Sequence, residues 1–374
     1  MAKAVYVGVG SKARKMKKAY IGIGGKARKV KKMYIGVGGK ARLCYSAELE
    51  KVGMAAALST TRYDMRAATV GKYALFAGGY ISKSSFGYSV SSSVDAYNTS
   101  LTKSTPTELS CKRCGHAAAS VGGYALFAGG ASSYNLLNFY ENLVSAVDAY
   151  DASLTRSAAH IIGATVAIGG AAVGNYALFA GGTVYSQINK DNVTSDVLAY
   201  DPSLTFTTAP LLSVARANVK GASAGNYALF AGGRAGSFCT TVDAYNASLT
   251  RTTATALSST KNNSAAATVG NHAIFVGNTA SADIYDASLT KTSAAILSTA
   301  RTGLAATTVG DYAIFSGGGV ADFCDASLTR SNIGTSMTGY DMGAATIGDY
   351  ALFAGGHSGE KSDTAYDSVE VYTA

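Results

Sequence analysis

At 374 residues, with 43 glycines, 3 prolines, 24 tyrosines and no tryptophan, the chain is rich in turn and strand formers, which excludes a helical bundle and points to many short strands. The net charge of +9 belongs to one end: residues 1–47 hold 13 Lys or Arg and no Asp or Glu, leaving 19 basic against 23 acidic residues elsewhere. The basic pI is therefore not a property of the body. Five scattered cysteines, Cys44, Cys111, Cys114, Cys239 and Cys324, exclude a disulfide framework, and no apolar run is long enough for a signal core or a membrane span. Synthesis in a reducing cytosol is the default expectation.

Residues 1–43 contain a repeat of 14 residues, starting at Tyr6, Tyr20 and Tyr34: YVGVGSKARKMKK, YIGIGGKARKVKK and YIGVGGKARLC. Each copy predicts a small hairpin, in which a β-branched run, a Gly-Ser-Lys or Gly-Gly-Lys turn and a basic strand follow one another. One such hairpin cannot bury enough surface to stand alone. Self-association, attachment to other proteins, a solvated basic arm and polyanion binding all stay open; no base-stacking signature speaks for nucleic acid.

From residue 44 on, a longer repeat takes over. YALFAGG at 73–79 returns at 124–130, 176–182, 227–233 and 350–356, with HAIFVGN at 272–278 and YAIFSGG at 312–318. Seven copies result. A second string follows each copy, as in VDAYNTSLT from Val94 and VDAYDASLT from Val147. With a small-residue run before YALFAGG and a polar run after SLT, each unit offers four strands, A to D. These are the size and content of a propeller blade. The last unit stops after strand C, whereas residues 44–58 form an orphan segment before the first unit. The orphan is expected to supply the missing strand D and so close the ring, removing an exposed edge. The predicted fold is an all-β, seven-bladed propeller over residues 44–374, preceded by the hairpin segment.

The double glycines Gly78-Gly79, Gly129-Gly130, Gly181-Gly182, Gly232-Gly233, Gly317-Gly318 and Gly355-Gly356, together with Tyr97, Tyr150, Tyr200, Tyr245, Tyr285 and Tyr372 on strand C, resemble the Kelch-repeat family. Two departures stand out: Gly277-Asn278 in unit five, and the absence of the tryptophan that follows the family's tyrosine. Leu101, Leu154, Leu204, Leu249, Leu289 and Leu328 are expected to fill that space. The basic front repeats resemble those of tail-associated proteins of phages and prophages of Gram-positive bacteria. That resemblance implies a virion component, an adhesin or decoration protein assembled in the bacterial cytoplasm, with the propeller as its recognition or structural head.

Internal comparison locates the expected ligand surface. The strands are nearly repeated, yet the B–C loops diverge: they are built up in units one, two, three, four and seven and almost absent in five and six. Those loops carry Tyr80, Phe86, Tyr88, Tyr134, Phe139, Tyr140, Tyr185 and Phe238, aromatics suited to a protein or cell-surface glycan. The competing expectation is that they pack on one another. A basic residue also stands nine positions before the glycine ending strand A: Arg62, Arg113, Arg216, Lys261 and Arg301, missing from units three and seven. This ring is expected either to meet an acidic ligand or to bond loop carbonyls.

Catalysis finds little to work with. The four histidines, His116, His160, His272 and His357, fall in different units, and one Cys-x-x-Cys pair, Cys111 and Cys114, is a weak metal signal. No catalytic residue, metal or cofactor is expected. The alternatives are a sugar-active propeller enzyme, an oxidase or glycosidase, and a cytosolic Kelch scaffold for an acidic peptide.

Overall fold

The computed structural model of the chain describes all residues except 1–5, 10–11, 16–18, 24–25, 31, 38–39, 47–48, 85–86, 136–139, 161, 164, 185–191, 262–264, 337 and 360–363. Among the described residues there is no helix. The architecture is all-β and propeller-like, built of four-stranded antiparallel sheets. Unit two shows the plan: Ala117–Val121 (strand A), Tyr124–Ala128 (B), Val147–Asp151 (C) and Arg156–Ala158 (D) pair in that order.

Composition explains each station. In strand B, residues 125–128 are 0% exposed, because this strand is covered on both faces by neighbouring sheets and so reads apolar throughout. Strand A must be small. A Cβ on Gly221 would collide with the carbonyl oxygen of Gly170 in the preceding unit. The Gly-Gly that ends strand B leaves the β region: Gly129 has φ +68°, and a Cβ there would sit 2.6 Å from the Thr165 carbonyl oxygen, so only glycine fits.

Strand A of every unit packs against strand A of the next, and the last, Gly343–Ile347, packs against the first, Arg66–Val70. Two sets of hydrogen bonds cross between units. At one end, residues with positive φ donate backbone N–H to the equivalent carbonyl of the preceding unit: Asp341 to Gly303 (2.8 Å), Asp64 to Asp341 (2.7 Å), Ala167 to Gly115 (2.7 Å) and Asn218 to Ala167 (2.7 Å). At the other end the hydroxyls of Thr69, Ser120, Ser223, Thr268, Thr308 and Thr346 donate to the preceding carbonyl. Ala172 alone interrupts that series.

The C–D turns are built on their first residue. Asp151 Oδ1 accepts from the N–H groups of Ser153 (2.8 Å) and Thr155 (2.9 Å), the local bonding expected of Asp or Asn. The turn forces its leucine left-handed, with φ between 58° and 65° in all six copies. Such a conformation costs an L-residue roughly 1–2 kcal/mol. Packing offsets it: the six leucines are partly buried against the sheet cores. They do occupy apolar space, as anticipated, from a strained backbone that the repeat pattern did not reveal.

The orphan segment supplies the seventh unit's fourth strand. Glu50–Ala55 pairs antiparallel with Val369–Thr373, from Val369↔Ala55 to Thr373↔Glu50. Its bounds are shorter than anticipated: Cys44, Tyr45 and Ser46 belong to the strand Lys40–Ser46 of the third front hairpin, so that hairpin runs past residue 43. All three front repeats are two-stranded hairpins, with Tyr6↔Lys15, Tyr20↔Lys29 and Lys32↔Ser46 at their open ends.

Candidate functional site

The basic ring turns inward. Arg62, Arg113 and Arg216 are 0% exposed, and each pairs with the aspartate of strand C in its own unit: Arg62 with Asp95, Arg113 with Asp148, Arg216 with Asp243 at 2.9 Å. Lys261 and Arg301 pair with Asp283 (3.5 Å) and Asp322 (2.6 Å). Loop carbonyls take further bonds, as from Arg113 to Ala146 (2.9 Å). A second cation on strand D reaches the same carboxylate, as Arg156 reaches Asp148 at 2.8 Å. Of the two expectations the geometry matches the carbonyl-bonding one, and the buried ring offers an acidic ligand no face. The partner aspartates were not anticipated from the sequence. A usable signal existed: unit three lacks all three charges together, with Thr165, Leu198 and Phe206 at those stations.

The aromatic loops come together in part. The B–C loops of units one and two form hairpins, Tyr80–Ser84 with Gly87–Val90 and Ala131–Asn135 with Tyr140–Leu143, and these join as one further four-stranded sheet through Tyr88↔Tyr134. Rings then run in series: Tyr134 to Tyr88 (5.2 Å between centroids), Tyr88 to Tyr80 (5.3 Å), Tyr80 to Tyr63 (5.2 Å), Tyr63 to His357 (4.8 Å) and His357 to Tyr340 (6.0 Å). Edge-on and stacked pairs at these separations rigidify the surface. Tyr80 is buried and Tyr88 and Tyr134 are half-buried. Phe238 stands apart on the unit-four loop, 44% exposed. Phe86, Phe139, Tyr185 and the side chain of Tyr140 lie outside the described residues.

This aromatic series ends at an axial channel. All seven strands A line its middle, and hydroxyl-bearing residues line one end. The other end widens into a chamber of ≈ 230 Å³ bounded by Tyr63, Tyr80, Asp64, Arg66, Asn218, Lys220 and Asp341, among others. Only two units place a charge at the first position of strand A, Arg66 in unit one and Lys220 in unit four; the others have Ala117, Gly169, Ala265, Ala305 and Gly343. Arg66 bonds Asp64 Oδ1 at 2.7 Å and the His116 carbonyl at 2.9 Å, and His357 Nε2 meets Asp341 Oδ2 at 3.1 Å. Burial, and secondarily the charge of Arg66, hold the Lys220 ammonium below its usual pKa, against an opposing pull from Asp64 and Asp341. Neither a known protein family nor a curated protein matches the chain.

The other titratable groups are dispersed. His116 is fully buried and held neutral by burial and by Arg113, while His160 stacks on Phe206 at 4.5 Å. Burial pushes the Cys114 and Cys324 thiols up to about 12. Among the described residues no three of His, Cys, Asp and Glu gather where they could hold a metal, and Cys111 and Cys114 are free thiols. The chamber can therefore offer hydrogen bonds, charge and aromatic faces.

Proposed function

We propose that the chain is a non-enzymatic binding protein: a closed, seven-bladed, Kelch-like propeller over residues 49–374 whose B–C loop face recognises a protein or cell-surface glycan. In the same reading the basic hairpins of residues 1–46 attach the propeller to other proteins or to further copies, as in a tail-associated component of a phage particle assembled in the bacterial cytoplasm. The cyclic packing of the seven A strands and the pairing of Glu50–Ala55 with Val369–Thr373 support closure. One observation carries the recognition reading: the extra sheet from units one and two, with Tyr88 and Tyr134 directly opposed. Core strands vary little among units, whereas this sheet is added on one side only. Elaboration of that kind, rich in tyrosine, is the pattern of a binding surface on a conserved scaffold.

The test is sedimentation of purified protein with whole Gram-positive cells. Wild type is expected to pellet with cells. The double variant Tyr88→Ala/Tyr134→Ala is expected to stay in the supernatant while keeping a cooperative melting transition, because both rings are only half-buried, at the edge of the cluster around Tyr63, Tyr80 and Cys114. Wild-type attachment by a folded double variant would remove the basis for this reading.

A further inference from the structure

Among the described charged groups lining the chamber at the mouth of the channel, Lys220 is the one without a direct partner. Arg66 and Asp64 satisfy each other, and Asp341 is held by His357. Lys220, by contrast, has no hydrogen bond or ion pair among the described residues. Lys220 is half-buried, and partly withdrawing an ammonium from water without a direct partner is unfavourable; five of the seven units carry Ala or Gly at that position instead. Asn218, two residues before Lys220, uses its backbone N–H on Ala167, while its exposed side-chain amide has no partner among the described residues. Together they form a cationic, amide-bearing wall in unit four. Unit one contributes two tyrosine rings to the same chamber, Tyr63 and Tyr80, stacked at 5.2 Å.

Size narrows the ligand. At ≈ 230 Å³ the chamber is smaller than the roughly 300–1,000 Å³ of sites for drug-sized molecules, so it suits one ring. Its two carboxylates disfavour a simple anion, yet they are good acceptors for neighbouring hydroxyl groups. We propose that the chamber binds a single acidic sugar ring, a uronate. The sugar carboxylate lies on Lys220 and Asn218, its hydroxyls donate to Asp64 and Asp341, and its apolar face rests against Tyr63 and Tyr80. An arriving carboxylate gives Lys220 the direct partner it lacks, since Asp64 and Asp341 act on it without a hydrogen bond or ion pair. This deepens the recognition reading, since it rests on the loop face being the binding face.

Calorimetric titration of the full chain with sodium glucuronate tests it, with glucose and inorganic phosphate as comparators. Saturable glucuronate binding is expected, at least tenfold tighter than either comparator and at least tenfold weaker in Lys220→Ala. That variant has the side chain of units two, five and six at this position, so it should fold and melt like wild type; Asn218→Ala is a second variant, expected to weaken glucuronate while leaving glucose unchanged. No saturable glucuronate binding, or equal binding by wild type and both variants, overturns the proposal. Phosphate binding as tightly as glucuronate reduces the chamber to a general anion site and also overturns it; glucose binding as tightly removes the role of the carboxylate. Cell sedimentation separates the two ideas. Tyrosine-dependent attachment without glucuronate binding leaves the recognition reading and sinks this one, and glucuronate binding without cell attachment does the reverse.

Discussion

Replacing Asp148 by leucine should be among the most damaging single changes in the molecule. Asp148 is 1% exposed and accepts from Arg113, from Arg156 at 2.8 Å, and from the backbone N–H and hydroxyl of Ser110, both at 3.0 Å. Its loss strands the guanidinium of Arg113, which is 0% exposed, and an uncompensated buried charge costs about 3–5 kcal/mol. For 374 residues, about 2.1 cal/mol/K of unfolding entropy per residue converts ~4 kcal/mol into a fall of about 5 °C in Tm. Unit three shows how to relieve the damage, because Thr165, Leu198 and Phe206 occupy the three charged stations there. The triple variant Arg113→Thr/Asp148→Leu/Arg156→Phe should therefore recover most of the loss, to within about 1–2 kcal/mol of wild type, as apolar replacement of whole buried charge groups commonly does. Urea unfolding followed by near-ultraviolet circular dichroism measures both. A single variant within 1 kcal/mol of wild type, or a triple variant worse than the single, would refute the argument that pairing rather than charge itself is what matters at this site.

Removing residues 1–46 should leave Tm within about 2 °C, since that segment forms separate hairpins, whereas removing residues 1–58 strips the strand paired with Val369–Thr373 and should lower Tm by more than 10 °C; scanning calorimetry of the two truncations decides. Leu249→Gly relieves a φ of 58° worth roughly 1–2 kcal/mol but gives up packing of a partly buried leucine worth at most about 1.5–3 kcal/mol. A net loss of about 1 kcal/mol is expected in urea titration, and stabilisation would mean that the leucines only tolerate their turn. With the Cys114 and Cys324 thiols raised to about 12 by burial, their thiolate fraction is negligible at pH 8. Alkylation of native protein with iodoacetamide, mapped by mass spectrometry, should mark the partly exposed Cys111 and Cys239 and spare those two; rapid labelling of Cys114 would contradict its buried placement.

Much of the strand plan was legible because it is local and repeated. YALFAGG announces a strand covered on both faces and ended by a glycine turn, Asp-Ala-Ser or Asn-Ala-Ser announces a hairpin loop, and the 14-residue front repeat announces three hairpins. Even the donation of an N-terminal strand to the last unit followed from counting strands. Pairwise burial was harder to read. Arg113 and Asp148 are 35 residues apart, and a basic residue at a regular spacing fits a ligand-facing ring as well as an internal clamp. Only the sheet, which folds the loop before strand A across strand C of its own unit, turns those guanidinium groups inward.

The chamber was invisible for a related reason. Lys220 reads as an ordinary lysine opening a strand, and Asp64 and Asp341 lie at opposite ends of the body. They share a cavity because the first and last units pack together and the Asp64 N–H reaches the Asp341 carbonyl at 2.7 Å. Repetition of short patterns, then, set the elements and their pairing, since hydrogen bonds between successive strands are decided within each unit. Which side chains face one another across the axis depends on all the units packing at once, so that convergence, with the unpaired ammonium it leaves, belongs to the tertiary structure alone.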